Sequence, residues 1–340
     1  MKKKTISKST FLKRIKDTIR QYDMLHEGDK VLIAVSGGAD SVCLLEALVS
    51  LRKGMGIDIV VANMDHCLRG KESERDSSFV RELSSKLDLP FAYKKVNVRS
   101  AGKRGTSTEE QAREKRYAFL REAARKNGCG VIATGHTMDD QAETVLMRVV
   151  YGASPLGLAG IPPVRDEGSC RLIRPLIRVG REEIIAFLKK AGSSFVEDSS
   201  NKNVRFLMNS LRLEVLPFLE KYNPKLKRSL VNLSDAVRED LAFLESEQRK
   251  IAGKYANSTK VAIKDMILQP KALRKQVFKA LFKRAGGNVK KLTYRHWMDM
   301  DQFLRTADKG KSLDFPGDIR VTKKRDELVF GRRSIRLSGK

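Results

Sequence analysis

The chain has 340 residues, enough for two or three domains with a substantial core in the largest. Its net charge of +27 and its pI near 10.0 are far from the balance typical of a soluble enzyme that acts only on small metabolites. Residues 201–340 carry +18 of this charge, and such an excess favours a polyanionic partner. We therefore expect a catalytic N-terminal part and a polyanion-binding C-terminal part, with nucleic acid ranked ahead of an anionic membrane surface.

The cysteines and the hydropathy pattern argue against several protein classes. The four cysteines are scattered without a Cys-x-x-Cys pair, which argues against a zinc or iron–sulfur site and against a disulfide framework. No window has the length and apolarity of a transmembrane helix, and the basic start lacks the apolar core of a secretory signal. We expect a cytoplasmic protein that acts without a membrane.

After an amphipathic helix near the N-terminus, the sequence predicts a strand, a loop and a second helix. Residues 31–35 are apolar and mostly β-branched, as in a buried strand, and an apolar helical pattern follows residue 41. The loop between them reads Ser36, Gly37, Gly38, Ala39, Asp40, Ser41. Two glycines before a helix N-terminus favour an anion, because the backbone can approach closely and the free N–H groups attract negative charge. A plain glycine turn is the alternative.

An aspartate in such a loop is unusual beside a phosphate. The carboxylate of Asp40 would repel the phosphate unless a cation lay between them. The loop therefore predicts a nucleotide phosphate together with Mg²⁺. The glycine spacing matches neither the P-loop nor the dinucleotide-binding fingerprint.

Three further strands are predicted, at residues 57–63, 91–98 and 130–134, of which the first and the last have the composition of buried strands. Asp65 and His66 follow the first of these, and His136 follows the last. In an open α/β sheet, ligands bind beyond the carboxyl ends of the strands, so these side chains should face the same crevice as the glycine loop. For His66, a purely structural histidine is the alternative.

Near the start of two predicted helices, charged side chains are spaced three or four residues apart, which places them on one face of the helix. Arg113, Arg116 and Tyr117 lie along one side of the first helix, and Asp140 and Glu143 along one side of the second. The two carboxylates could simply be residues that the helix dipole favours in a first turn. The alternative is that the pair binds a cationic group of a substrate. We prefer this to a metal, because two acids without further acids or histidines provide too few ligands.

The remainder of the chain changes character after residue 223. Before it, residues 152–163 are rich in Gly and Pro and predict a loop, and residues 181–191 predict a helix. After it, long basic helices are predicted, with a small β element near 312–332. We therefore expect an α/β domain over residues 1–215 and a basic, mainly helical extension over residues 216–340.

Several separate stretches together resemble one family of enzymes. The loop of residues 36–41 resembles the PP-loop of the N-type ATP pyrophosphatases, and the other motifs resemble the tRNA(Ile)-lysidine synthetases within that group. These motifs are Asp65-His66-x-Leu68-Arg69, Glu110-x-Ala112-Arg113-x-x-Arg116-Tyr117, Gly135-His136-x-x-Asp139-Asp140-x-x-Glu143-Thr144, Gly160-Ile161-Pro162-Pro163, Arg174-Pro175-Leu176, Asp198-x-Ser200-Asn201 and Leu216-Pro217.

The resemblance implies a fold and a reaction. The fold would be a parallel-sheet PP-loop ATPase domain, of the adenine nucleotide alpha hydrolase-like type, followed by a basic helical domain and a small C-terminal α+β tail. In the reaction, ATP would adenylate the C2 carbonyl oxygen of the wobble cytidine, C34, in the CAU anticodon of tRNA(Ile), and pyrophosphate would leave. The ε-amine of free L-lysine would then displace AMP and give lysidine. ATP and Mg²⁺ would be the cofactors.

The same resemblance implies a role for each motif residue. Residues that would bind ATP are Ser36, Gly37, Gly38, Ala39, Asp40, Ser41, Asp65 and His66. The catalytic residues would be Asp40, which would also hold Mg²⁺, and His136. Lysine would be bound by Arg113 at its carboxylate and by Asp140 and Glu143 at its ammonium group.

Two positions depart from the family pattern, and two other functions stay open. Met208 stands where an arginine is usual, and Cys67 where a glycine is usual. A PP-loop tRNA thiolase would be expected to show paired cysteines, whereas a non-catalytic tRNA-binding protein would need neither an intact loop nor the Asp140 and Glu143 pair. The sequence leaves a homodimer open.

Overall fold

The computed structural model describes residues 7–65, 71–96, 108–196, 210–255 and 257–333. The chain forms two compact units, of which the first ends at Val237 and the second begins at Arg238. The division into domains at residues 1–215 and 216–340 stays a prediction. Among the helices in the described ranges, none has the length and apolarity needed to cross a membrane.

The first unit contains a six-stranded sheet. Its strands are β1 (Lys30–Ala34), β2 (Asp58–Asp65), β3 (Phe91–Lys95), β4 (Val131–Ala133), β5 (Val164–Glu167) and β6 (Cys170–Ile173). They lie in the order β3-β2-β1-β4-β6-β5, and β5 is the one antiparallel strand of this described sheet, paired with β6 at the edge. Ile33 of β1 lies beside Val61 of β2 and Ala133 of β4, so the carboxyl ends of these three strands are aligned.

Helices connect the strands and continue beyond them into the second unit. They are α1 (Lys8–Gln21), α2 (Ala39–Met55), α3 (Lys71–Lys86), α4 (Thr108–Lys126), α5 (Met138–Val150), α6 (Pro155–Leu158), α7 (Arg181–Ala191), a π-helical turn (Leu211–Val215), α8 (Leu216–Glu220) and α9 (Leu226–Tyr255).

Side chains alternate between the two faces of the sheet, because successive residues of a strand point in opposite directions. Val31 and Ile33 pack in a core that includes the apolar faces of α1, α2 and α7, where Phe11 stacks on Phe187. Leu32 belongs to a second core on the other face, formed largely with residues of α4. The sheet is therefore covered on both faces, as expected for parallel strands.

The chain order places a crevice between β1 and β4. The connection from β1 through α2 leads to β2 on one side, whereas the chain reaches β4, on the other side of β1, through α4. The connections that follow β1 and β4 therefore run to opposite sides from a topological switch point, where α/β sheets bind ligands.

The second unit contains its own antiparallel sheet and core. Its strands are β7 (Lys260–Ala262), β8 (Ser312–Phe315), β9 (Ile319–Lys323) and β10 (Glu327–Arg332), in the order β7-β10-β9-β8; its helices are α10 (Ile263–Leu268), α11 (Lys271–Arg284) and α12 (Tyr294–Thr306). Phe278 of α11 lies at the centre of the core, with Trp297, Phe315 and Phe330 around it.

The predicted α/β class with a helical C-terminal part is confirmed. Several local predictions were wrong or incomplete. The segment 152–163 was predicted as a loop but contains the short helix α6, which begins at Pro155, a residue favoured in the first turn of a helix. No strand was predicted at residues 164–167, 170–173 or 260–262, where the structure contains β5, β6 and β7.

Candidate active site

The loop after β1 is held by hydrogen bonds among its own residues. The Ser41 hydroxyl accepts from the Ser36 N–H at 3.1 Å and donates to the Gly38 carbonyl at 2.9 Å. The hydroxyl oxygens of Ser36 and Ser41 lie 3.2 Å apart. Gly37 adopts φ = +93°, a left-handed conformation that glycine adopts without strain. The loop thus presents the first turn of α2 to the crevice, as the glycine pattern predicts for an anion site.

The loop after β4 packs against this first loop. A Cβ on Gly135 would lie 3.2 Å from backbone atoms of Asp40 and Ser41, so only glycine allows this approach without a local shift. The next turn begins α5 with a capping box: the Asp140 carboxylate accepts from the Thr137 N–H at 2.8 Å, and the Thr137 hydroxyl accepts from the Asp140 N–H at 3.3 Å. The two helix starts, of α2 and α5, therefore lie side by side.

A cavity of about 600 Å³ opens at these two helix starts. Its apolar wall includes Ala34, Ala62, Met64, Phe119 and Leu120, and its polar side includes Ser36, Asp40, Ser41, Asp65, Arg116, His136 and Asp140. Most of the predicted ATP-binding residues therefore line it or adjoin it. His66, Cys67 and Met208 lie outside the described residues.

Asp40 is paired with an arginine that the sequence analysis did not select. The Arg181 Nη1 donates to both oxygens of the Asp40 carboxylate, at 3.1 and 2.9 Å. The pKa of Asp40 is raised to about 6, chiefly by burial and also by the nearby carboxylates of Asp140 and Asp139, while Arg181 opposes the shift. A further cation beside Asp40 would therefore be stabilised by several acids.

The residues around Asp40 fit a magnesium ion that is held partly by a ligand. Mg²⁺ is usually bound by one or two carboxylates together with substrate phosphates and water, rather than by a cage of protein ligands. The described residues contain no group of three or more His, Cys, Asp or Glu side chains placed to hold a metal. Asp40 at the phosphate loop meets the first description.

The predicted lysine-binding acids come together on α5, but Arg212 pairs with one of them. Glu143 is 2 % exposed, and its two oxygens accept from Nε and Nη2 of Arg212 at 2.7 and 2.8 Å. Arg212 Nη2 lies 3.7 Å from the nearer oxygen of Asp140. Burial raises the pKa of Glu143, and the bond from Arg212 opposes that shift. In this structure a guanidinium therefore occupies the place predicted for an ammonium group.

The neighbouring Asp139 is held by two other segments. Its carboxylate accepts from the backbone N–H of Arg181 at 2.8 Å and lies 2.9 Å from Nζ of Lys227. Lys227 also lies 3.4 Å from the carboxylate of Glu220. Three cations from distant parts of the chain thus face the acids at the start of α5 and at Asp40.

His136 is partly buried, and its imidazole is neutral near pH 7. Burial, together with the charges of Arg174, Arg116 and other arginines, lowers the pKa of His136 to about 3. Its Nδ1 lies 3.0 Å from the Thr134 hydroxyl. If that hydroxyl donates to Nδ1, the ring proton is on Nε2, where it can be donated to a ligand.

Arginines cluster around one tyrosine at the wall formed by α4. The guanidinium carbons of Arg113, Arg116 and Arg165 lie 5.7, 5.8 and 5.2 Å from the ring centroid of Tyr117. Arg174, 1 % exposed, donates to the carbonyl of Pro162. Arg116 lines the cavity, whereas Arg113 is absent from its described lining residues. This wall is suited to a phosphate or a carboxylate.

One missed residue left a signal in the sequence. Arg181 is the first residue of α7, where the helix dipole disfavours a cation and favours acids such as Glu182 and Glu183. A basic side chain at that position suggests a carboxylate partner elsewhere. Nothing local marks Lys227, since it lies among several other basic residues.

The fold and the loop define the class of this chain. A glycine loop between a parallel strand and a helix, at the switch point of an α/β sheet, is the arrangement of a PP-loop nucleotide-binding domain, and the family described as "PP-loop domain" matches residues 7–219. Curated relatives then narrow the class, and the chain belongs to the tRNA(Ile)-lysidine synthase family. This confirms the family predicted from the motifs.

Two of these relatives illustrate the extent of the similarity. The chain is 34 % identical to the tRNA(Ile)-lysidine synthase of Geobacter sulfurreducens over 95 % of its own length and 69 % of that protein. It is 34 % identical to the enzyme of the same name from Bacillus cereus strain ATCC 10987, over 95 % and 70 %. The chain spans about two thirds of the length of the curated relatives it matches.

One solved structure supports the fold alone. A U34-tRNA thiolase from Methanococcus maripaludis superposes with a TM-score of 0.55 at 20 % identity, covering 68 % of this chain and 80 % of that one. At 20 % identity, the similarity shows a shared fold and says nothing about activity.

Proposed function

We propose that the chain joins lysine to C2 of the wobble cytidine of tRNA(Ile) bearing a CAU anticodon, in a reaction driven by ATP. One observation carries the proposal. The same cavity is bordered by the anion-binding loop of residues 36–41 and by Asp140 at the start of α5, so an activated oxygen and an attacking amine can meet in it. Proximity of this kind supplies a large part of a ligase's rate enhancement.

ATP fits the cavity with its two ends in different surroundings. The free N–H groups at the start of α2, with the hydroxyls of Ser36 and Ser41, would bind the phosphates. The apolar wall that includes Ala62, Met64 and Leu120 would cover the adenine. The volume of about 600 Å³ lies within the usual range for a ligand pocket, roughly 300–1,000 Å³.

Asp40 would hold Mg²⁺ against the phosphates. Bound there, Mg²⁺ would offset the negative charge that develops on the departing pyrophosphate. Arg181 would leave Asp40 or share it, since its guanidinium now occupies both oxygens. Arg181 is largely exposed and can move to the phosphates without leaving a buried charge behind.

Free lysine would bind between the acids of α5 and the arginine wall of α4. Its ammonium group would lie at Asp140 and Glu143, and its carboxylate at Arg113 or Arg116. Arg212 competes with the ammonium group of lysine, because it holds Glu143 through two hydrogen bonds. We therefore propose that lysine binding displaces Arg212 from Asp140 first, where the separation is already 3.7 Å.

The chemistry would proceed in two displacements. In the first, the C2 oxygen of cytidine bonds to the α-phosphorus of ATP and pyrophosphate leaves. In the second, the lysine ε-amine, having lost its proton to a carboxylate such as Asp140 or to water, bonds to C2, and AMP leaves with the oxygen. The neutral His136 would donate from Nε2 to the phosphate or the ribose.

The RNA substrate accounts for the charge. Residues 201–340 carry +18, and binding of these cations to phosphodiesters would release counterions and make affinity dependent on salt. We place this reaction in the cytoplasm, where tRNA and free lysine are both available.

The proposal is tested by incubating the chain with radiolabelled lysine, ATP and a tRNA(Ile) transcript bearing CAU. We expect label on the tRNA that requires ATP and is lost when C34 is replaced by uridine. Asp40→Ala should reduce the initial rate roughly 10³-fold, as expected when several kcal/mol of charge stabilisation are removed. Asp58→Ala, which removes an exposed acid from the amino end of β2, is the matched control and should retain activity. Absence of ATP-dependent label with the unaltered chain would refute the proposal.

A further inference from the structure

Two aromatic rings are exposed on the first unit, on and just after α8. Tyr222 is 77 % exposed and Phe218 is 52 % exposed. Their ring centroids lie 5.5 Å apart with an interplanar angle of 65°, an edge-to-face pair. Large aromatic side chains are usually at least partly covered, and a pair left open to solvent indicates a binding surface.

The surroundings of the pair are basic. Lys221 Nζ lies 5.9 Å from the centroid of the Phe218 ring, and Lys225 and Arg228 are exposed nearby in sequence. Within the described part of the chain these three cations form no ion pair. Glu220, the acid of this stretch, is held by Lys227. The rings are therefore accompanied by positive charge that is available to an external anion.

The same stretch is fastened to the start of α5. Lys227 Nζ links the Glu220 carboxylate, at 3.4 Å, to that of Asp139, at 2.9 Å. Further along α9, the Ser234 hydroxyl accepts from Nε2 of Gln141 at 2.8 Å. Asp139 adjoins Asp140, which lines the cavity. The exposed rings thus belong to a segment that is attached directly to the candidate active site.

We propose that Phe218 and Tyr222 form a stacking platform for an unpaired base of the RNA substrate, next to the nucleotide that enters the cavity. The inference rests on the proposed function and extends it to a second nucleotide. Proteins read single-stranded RNA by stacking splayed bases on aromatic side chains while cations bind the flanking phosphates. A protein partner is disfavoured, because lysine is depleted at protein interfaces and is frequent here.

The test compares Tyr222→Ala with variants that separate stacking from bulk. Substrate is an anticodon stem-loop RNA, and KM is measured for the RNA, for ATP and for lysine. Tyr222→Ala should raise the KM for RNA about 5- to 100-fold, as for loss of one stacked base, and leave the other two KM values unchanged. Tyr222→Trp should retain the affinity for RNA, and Tyr222→Leu should not.

A matched control is Tyr93→Ala. Tyr93 is also an exposed aromatic residue, paired with the partly buried Phe91 at 6.2 Å and with the guanidinium of Arg81 over both rings, but it lies on the edge strand β3. We expect no change in the KM for RNA. Equal losses in the Tyr222 and Tyr93 variants, full affinity in Tyr222→Leu, or an unchanged KM in Tyr222→Ala would each overturn the platform.

A binding measurement separates this inference from the proposed function. 2-Aminopurine is placed at each anticodon-loop position in turn, and its fluorescence is followed on binding to the unaltered chain and to Tyr222→Ala. Quenching at one position that is lost in the variant supports the platform even if no lysine is transferred. Association of two copies of the chain that disappears in Tyr222→Ala, with RNA binding intact, would assign the rings to a second copy and refute the inference.

Discussion

The loop after β1 and the first turn of α5 lie side by side but are built in different ways. In the loop, Ser36, Gly38 and Ser41 hydrogen-bond to one another within six residues. On α5, the acids instead depend on Arg212 and Lys227, which are 69 and 88 residues away along the chain from Glu143 and Asp139. An anion site can thus be formed by a short peptide, whereas a site for a cation needs a tertiary structure that controls its negative charge.

The difference extends to the electrostatics. Helix N–H groups are fixed dipoles that bind a phosphate without first being neutralised. Carboxylates brought together in a partly buried crevice repel one another, and burial raises the pKa of Asp40 to about 6 with further contributions from Asp140 and Asp139. The arginines and the lysine around these acids therefore stabilise the fold before substrates bind.

The largest effect should come from breaking the most buried of these pairs. In Arg212→Met, the carboxylate of Glu143 stays buried without its partner, and the free energy of unfolding should fall by about 2–4 kcal/mol. Chemical denaturation followed by circular dichroism measures this. Arg320→Met is the control, because Arg320 holds Asp314 with similar two-bond geometry at the surface, where water and salt screen the pair; the expected loss is much smaller. Equal losses would contradict the dependence of the acid site on a distant cation.

A second, smaller effect concerns His136, which follows β4 and faces distant arginines. Its pKa is about 3 in the folded chain and near 6.5 when unfolded, so between these values only the unfolded chain binds the proton. Stability should therefore fall as the pH is lowered from 6.5, by up to about 1.4 kcal/mol per pH unit. His136→Gln lacks this loss. Its free energy of unfolding, relative to that of the unaltered chain, should therefore rise by about 1.5 kcal/mol as the pH is lowered from 6.5 to 5.

The control for this measurement is His26→Gln, which changes an exposed histidine at the surface. The free energy of unfolding is measured at pH 5, 5.5, 6 and 6.5 for all three proteins. Identical pH slopes for His136→Gln and the unaltered chain would mean that the histidine is not held neutral by burial and by the arginines.

The smallest effect is expected at Lys227, which is only half-buried. Lys227→Met removes the link between Asp139 and Glu220 and should lower the free energy of unfolding by about 0.5–1 kcal/mol. Lys250→Met, which breaks an exposed pair with Glu247 on α9, should cost less. A cost at Lys227 no greater than at Lys250 would remove this residue from the set that holds the acid site together.

Much of the fold could be predicted, because its signals are local. β1, β2 and β4 are short apolar runs that end in glycine or polar residues, and the structure contains each of them. The strands that were not predicted are β5, β6 and β7, and β5 has four residues, three of them charged. β6 mixes arginine with apolar residues, and β7 has three residues, so neither shows a clear period of two.

The candidate site divides in the same way. Glycine spacing and helix-start chemistry are enough to predict residues 36–41, His136 and the acids of α5, because these depend on a few consecutive residues. The partners Arg181, Arg212 and Lys227 and the low pKa of His136 come from packing of segments far apart in the chain. Charges interact through space and burial, which no local pattern encodes, and so only the folded chain assigns each acid its cation.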